Sequence, residues 1–457
     1  MFRLVSRTTH GLEQLRSSFQ EHVLQEGLSA IERVGEEAAK DPGMYVNALL
    51  HVHGKYKDLV VTTFGSDGGF FSALEAACRR FVNSNFVTRR PKPRNGTPEL
   101  LAQYCDSLLL KSRQKSEVDD LEEALDAAIL LLRFTDDKDV FKVCYSKMLT
   151  MRLLRKTSVS EGAETMMISR LKEVYGNGYT MKLERMIQDI RVSKVLNDNF
   201  NKTMKNTQQS LEHGFTAFVL NSGSWPFQAS PAVSLPRSLN HSIQSFTRYY
   251  LTAHPSRKLT WLYHISEGEL ATTCFRRPYI LRASTMHMVV LLQYNDSLSF
   301  TMQHLQEATG ISTDMLHSVL KAMLEEGLLS LKDQEQDVQK HQLLPPDAVL
   351  SLNTEFSNAK LLVDIRARLN TDAKVQKDAD EATIKAERKT CIQAAIVRVM
   401  KNRGMLKREQ IVANVIDLLS CRFKPDVECI KECIEHLVKK EYLEKAEGEE
   451  DTYIYLA

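Results

Sequence analysis

Few residues in this chain have the types and spacing to do chemistry. Cys429, Cys433 and His436 recur at intervals of four and three, which aligns them on one helix face, and Cys421 lies close by. Thiolate and imidazole are metal ligands, but the paired CxxC knuckles of structural zinc sites are absent. Cysteine is also among the most buried residue types, so a core role is the simpler reading. No P-loop, GxGxxG, GxSxG, HExxH or EF-hand pattern occurs. Two segments stand out as basic and free of acids. One, residues 388–408, carries Arg388, Lys389, Arg398, Lys401, Arg403, Lys407 and Arg408. The other carries Lys142, Lys147, Arg152, Arg155 and Lys156, and it could receive an acidic partner. The ordinary reading of each is a solvated helix face. Trp225 and Trp261 sit among strand and turn residues and read most simply as core anchors. The residues alone therefore point away from catalysis and toward interaction or scaffolding.

The elements that would position these groups are mostly helical. Glycine and proline number 19 and 12 in 457 residues, well below the roughly 12% of an average chain. That scarcity disfavours a turn-rich all-β architecture. At ~100–200 residues per domain the length calls for about three folded units. The formal net charge of +2 gives no bulk attraction to nucleic acid or membrane. No apolar run approaches the ~18–20 residues that span a bilayer, and MFRLVSRTTHGLEQ has no apolar signal core. Eight scattered cysteines suggest free thiols in a reducing compartment.

Leu12, Leu15, Phe19 and Val23 mark a first helix, with a break at Asp41–Pro42. Val118, Leu121, Leu125, Ile129 and Leu132 mark another, with acids in its opening turn, where they suit the helix dipole. Residues 89–98, with three prolines and an Asn-Gly, read as a loop, and helices then continue to about Asn206. The character changes near Gly214. GFTAFVLN, KLTWLYHIS, ELATTCFRR and PYILRA are strand candidates, followed by a buried helix over 284–294. From Phe300, two amphipathic helices flank a turn at Gly310 and lead into the strand LSLKD, a winged-helix pattern. A second copy is expected from helices at 392–402, 407–420 and after Pro425, closed by a hairpin with Thr452, Ile454 and Leu456 alternating against Tyr453 and Tyr455. The polar stretch 370–390 reads as a solvated helix between the two. DNA binding does not follow. The recognition-helix candidates carry Lys321 against Asp314, Glu325 and Glu326, and Lys431, Lys439 and Lys440 against Asp426, Glu428, Glu432 and Glu435, both net negative.

IQAAIVRVMKNRGMLKREQ, residues 392–410, resembles the neddylation-site helix of the cullins, and CRFKPDV with KKEYLEKAEGEEDTYIYLA resembles the cullin C-terminus. Upstream, LVSRTTHGLEQL, PGMYVNALLHVHGKY, ELLAQYCDSLL, TDDKDVFKVCYSKMLTMRLL, SGSWPFQ and SRKLTWLY match the same family in order. The resemblance covers essentially the whole chain and is strongest to the class serving F-box-type (SCF) ubiquitin ligases. It implies a mainly α fold with a small α/β part. The expected order is the end of the last cullin repeat (1–57), a four-helix bundle (58–206), an α/β region (207–298), a first winged helix with an adjoining strand (299–372), and a linker helix with a second winged helix (373–457).

The resemblance further implies a non-catalytic scaffold of the ubiquitin conjugation pathway in cytoplasm and nucleus. Its partners would be a RING-box subunit and, through it, a ubiquitin-conjugating enzyme. The chain needs no cofactor of its own, and zinc would belong to the RING partner. Lys401 matches the acceptor that forms an isopeptide bond with the neddylation modifier, flanked by Arg398, Met400 and Arg403. Arg398 and Arg403 set like charge beside an amine that must be neutral to attack. Ile396, Val399 and Met400 would anchor the helix and aim that amine outward. The modifier's bulk would free the second winged helix, with 370–390 as the hinge. The RING subunit would add a strand beside Phe215, Ala217, Val219 and Trp225, where 214–220 and strands at 259–283 form an incomplete sheet. Met1 aligns inside the last helical repeat, so the adaptor-binding repeat is not encoded and an F-box adaptor is not expected to bind. A truncated regulatory form that sequesters the RING subunit is one alternative, and a winged-helix protein that binds nucleic acid is the other. Gly404 is expected to loosen the modification helix by up to ~1 kcal/mol relative to alanine.

Overall fold

The computed structural model describes residues 11–89, 96–111, 118–207, 214–227, 233–331, 344–366, 373–420, 422–446 and 451–456. The first helices are α1 (Gly11–Val34), α2 (Pro42–Thr62), α3 (Gly68–Asn83), α4 (Thr97–Leu109), α5 (Val118–Phe134), α6 (Lys138–Arg155), α7 (Glu161–Tyr175) and α8 (Asn177–Asn206). Next come α9 (Arg237–Ala253), β1 (Glu267–Ala271), β2 (Ile280–Ser284), α10 (Thr285–Gln293), β3 (Ser299–Thr301), α11 (Met302–Thr309), α12 (Thr313–Glu325), β4 (Leu329–Leu331), β5 (Val349–Leu352) and β6 (Leu362–Asp364). The chain finishes with α13 (Ala373–Arg403), β7 (Met405–Lys407), α14 (Arg408–Leu419), α15 (Val427–Lys439), β8 (Leu443–Lys445) and β9 (Thr452–Tyr455). Two compact units result. One comprises residues 1–190, 220–226 and 379–457; the other comprises 191–219 and 227–378.

In the first unit, the Asp41 side chain accepts from the Gly43 amide and Pro42 opens α2, a pairing that suits a helix start. Helix α2 buries Tyr45, Val46, Leu49, Val52, Tyr56 and Val60, and α3 buries Phe70, Leu74, Ala77 and Phe81. Asp67 caps α3 by accepting from the Gly69 and Phe70 amides and is held by Arg16 at 2.9 Å. Helices α1 and α3 approach closely at Gly27, where a Cβ would lie 2.3 Å from the ring of fully buried Phe81. Gly27→Ala is therefore expected to destabilise this unit by about 1–3 kcal/mol through overpacking. A lowered urea midpoint with unchanged slope would show it.

In the second unit, α10, α11 and α12 share one core with β1–β6. Leu281, Ala283, Met286, Val290, Leu305, Leu316, Leu320, Met323 and Leu350 are buried together. Strands β1 and β2 pair antiparallel, from Glu267 opposite Ser284 to Ala271 opposite Ile280, and β6 runs parallel to β2. Strands β3, β5 and β4 form the wing sheet of the first winged helix. Gly310 ends α11 at φ +66, a left-handed conformation that glycine adopts without a Cβ clash.

Two strand candidates are corrected. Residues 258–266 hold a 3-10 turn at Tyr263–Ile265 rather than a strand, and 214–220 pairs with no strand among the described residues. The latter segment is extended, but helix side chains hold its backbone. Asn197 accepts from the Ala217 amide at 2.9 Å and donates to the Ala217 carbonyl at 2.6 Å, while Ser193 accepts from the Val219 amide at 2.8 Å. Its apolar side chains turn inward onto Phe200, Phe246 and Tyr250.

His287, in the first turn of α10, is fully buried. Its Nδ1 sits 2.7 Å from the Ser284 hydroxyl, and its Nε2 has no partner among the described residues. Burial pushes its pKa down to about 4. An unfolded histidine takes up its proton near ~6.5, so the unfolded state gains protons first as pH falls. Stability of this unit is full above that value, and about 2 kcal/mol should be lost between pH 6.5 and 5. Hydrogen exchange of β2 and α10 across this window should show the loss, and His287→Gln should flatten it.

Candidate modification site and its docking contacts

Residues 392–403 of α13 are the first helix of the second winged helix. Ile392, Ala395, Ile396 and Met400 form its buried stripe and meet Ile411, Val415, Ile430, Ile434, Leu437 and Tyr453. The stripe fixes the rotation of the helix. Arg398, Lys401 and Arg403 are consequently exposed, whereas Met400, beside Lys401, is fully buried. Lys401 makes no ion pair among the described residues. Residues 373–391 run into this helix without a break, as one continuous 31-residue helix.

Gly404 corrects the expectation of a loosened helix end. It lies just past the last helical residue at φ +74, its amide donates to the Met400 carbonyl, and its own carbonyl accepts from the Tyr455 amide. In that left-handed position glycine terminates the helix without strain, and alanine would cost stability. Strands β7, β9 and β8 close the module in that order. Arg408 ties the hairpin down through Asp451 at 2.6 Å and the Tyr453 hydroxyl at 3.1 Å.

The same helix meets the helical part of its own unit through two consecutive residues of opposite charge. Glu387 ion-pairs with Lys182 at 3.3 Å. Arg388 forks onto Asp139, Nε to Oδ2 at 2.5 Å and Nη2 to Oδ1 at 2.8 Å, and also reaches Asp137 at 2.8 Å. Its guanidinium lies 4.9 Å from the ring centroid of Phe423. Burial opposes the charge, but the two carboxylates outweigh it and raise the arginine pKa above its ordinary value. Nearby, the Lys138 amide donates to the Arg422 carbonyl at 3.1 Å. Burial lowers the Lys142 pKa, against the favourable charge of Glu387, and its ammonium sits 5.2 Å from the Tyr179 ring centroid.

The basic segment on α6 is not one accessible face. Arg152 is 1% exposed and forks onto Glu164, which is 0% exposed, at 2.7 and 2.9 Å; Asp106 takes its other end. Lys142 and Lys147 are half-buried, and only Arg155 and Lys156 are exposed. Arg152, one member of a run that is acid-free in sequence, thus faces acids brought in by α4 and α7. The four RING-binding candidates, Phe215, Ala217, Val219 and Trp225, lie against or inside the core. Ala217 is buried, Phe215 and Val219 pack on the same aromatic core, and Trp225 is buried with its indole donating to Asp189 at 2.9 Å. Phe215 and Val219 remain half-buried, and the segment's side chains contribute to the fold.

The cysteine cluster also faces inward. Cys433 is buried, with its Sγ 3.8 Å from the Lys389 carbonyl, and burial pushes its thiol pKa up to about 11. Among the described residues no three His, Cys, Asp or Glu side chains converge as metal ligands, and Cys421 lies outside them. In the sequence Arg388 reads as one member of a basic run, which hides its contacts. Its carboxylate partners lie 249 and 251 positions away, so no local signal could have found them.

Three family descriptions match in order: Cullin alpha solenoid domain over residues 1–197, Cullin alpha+beta domain over 219–356, and Cullin protein neddylation domain over 387–449. The chain belongs to the cullin family. It is 39% identical over 462 residues to Cullin-1 of Dictyostelium discoideum and 37% over 463 residues to Cullin-1 of Caenorhabditis elegans. Cullin-1 of Schizosaccharomyces pombe is 39% identical over 465 residues. Each comparison covers all of this chain and about 60% of the relative, so the chain spans about three-fifths of these cullins. Lys401 and the Arg388 contacts both involve the stretch matched as the cullin neddylation domain.

Proposed function

We propose that this cullin chain is a non-catalytic scaffold of a RING-type ubiquitin ligase in cytoplasm and nucleus, and that a ubiquitin-like modifier is attached at Lys401. One observation carries the reading. Within the matched neddylation domain, Lys401 is exposed in the last turn of a helix whose neighbouring residue, Met400, is locked in the core. That arrangement presents an amine at a fixed outward angle, which a conjugating enzyme can meet without reordering the chain. Attachment then favours release of the module from its docked position, with residues 373–390 of α13 as the arm.

The RING subunit is held by strand addition, and zinc belongs to that partner. Strand β1 pairs with β2 on one side, and no strand covers its other side among the described residues. An extended segment there gains main-chain hydrogen bonds, and an uncovered edge is otherwise an aggregation hazard. The test is reconstituted conjugation with a RING partner, followed by peptide mapping and hydrogen exchange. A single modifier on Lys401 and new protection of β1 amides are expected. Attachment elsewhere overturns the acceptor. Unprotected β1 amides, in a chain equally soluble alone, overturn the edge.

A further inference from the structure

We propose that Arg388 is a latch: gripped by Asp137 and Asp139 and stacked on Phe423, it holds the second winged helix on the helical part of its unit and sets how readily that module leaves. The inference rests on the reading of Lys401 only for its regulatory meaning; the latch itself is geometry within this chain. Three features make it more than a surface ion pair. The guanidinium engages Asp139 by two parallel hydrogen bonds, the arrangement in which arginine is strongest. The group is largely withdrawn from solvent, as is Asp139, so the pair is weakly screened. The Phe423 ring closes its other side, and Phe423 belongs to the core of the module.

The contact is built for separation rather than for permanence. It joins the first turn of α6 to α13 through charge and one ring, and the adjacent Glu387–Lys182 pair is exposed. Asp137 and Asp139 also sit where α6 presents its unpaired amides, and Arg422 supplies a carbonyl to one of them, that of Lys138. When the module leaves, that amide loses its partner to water. The Lys138 amide therefore reports docking directly. Asp137 caps no helix amide with its side chain, so its carboxylate can be neutralised without removing a cap bond.

Hydrogen exchange of the full, unmodified chain tests this. Asp137→Asn with Asp139→Asn, and separately Arg388→Gln, should each speed Lys138 amide exchange about tenfold or more. The amides of Val415 and Ile434, in the core of the module, should keep their rates. Arg388→Glu combined with Asp139→Arg should recover part of the protection. Unchanged Lys138 exchange in the Asp137→Asn, Asp139→Asn variant overturns the latch. So does equal acceleration at Lys138, Val415 and Ile434, which would make Arg388 a folding residue of the module. In a second arm, the modifier conjugated at Lys401 should raise Lys138 exchange in the parent chain and add little in the latch variants. Conjugation that maps to another lysine defeats the acceptor assignment and leaves the first arm standing.

Discussion

Replacing Lys401 by arginine is expected to remove modifier attachment altogether while leaving the winged helix folded. The substitution keeps the charge and most of the stem. It removes the primary amine, and a guanidinium stays protonated at any physiological pH, so it has no free electron pair to attack a thioester. Packing is untouched, because Lys401 is exposed and the helix is anchored by Ile392, Ile396 and Met400. Neighbouring lysines are poor substitutes by position. Lys389 lies three turns back and faces Glu432, and Lys407 precedes α14 with its amide held by the Gln410 side chain. Intact-mass measurement after reconstituted conjugation should show no modified species. A persistent single modification mapped to Lys407 or Lys389 would identify a different acceptor.

The second large effect is on stability. Arg152→Met should destabilise the first unit by about 3–5 kcal/mol, because it leaves the fully buried Glu164 carboxylate without its counter-charge. The site is a network: the Ser158 and Tyr145 hydroxyls donate to Glu164, and the Arg152 guanidinium lies 5.3 Å from the Tyr145 ring centroid. Burial opposes the arginine charge, but Glu164 and Asp106 hold its pKa well above the ordinary arginine value. Adding Glu164→Gln to Arg152→Met should restore a large part of the loss, since the buried charge goes with its partner. Urea unfolding of the two single variants and the double variant checks both steps. A double variant no better than Arg152→Met alone would mean that lost packing around the methylene stem, not the stranded carboxylate, carries the cost.

What the sequence determined by itself is what local periodicity and residue chemistry encode. Both winged helices were legible, because apolar spacing, the Gly310 turn and the strand signals all act within a few residues of one another. The helix at 284–294 and the break at Pro42 were legible for the same reason. The exposure of Lys401 was legible because the stripe of Ile392, Ala395 and Ile396 fixes which way its helix face points. Tertiary structure decided the rest. GFTAFVLN has strand composition, yet Ser193 and Asn197 take its backbone hydrogen bonds, and no propensity scale contains that competition. Arg152 reads as one more basic residue of an acid-free run, but it is buried against Glu164 and Asp106. Arg388 meets Asp139 across 249 positions. Coulomb energy depends on distance in space and on exclusion of water, and neither is written in the order of residues along the chain.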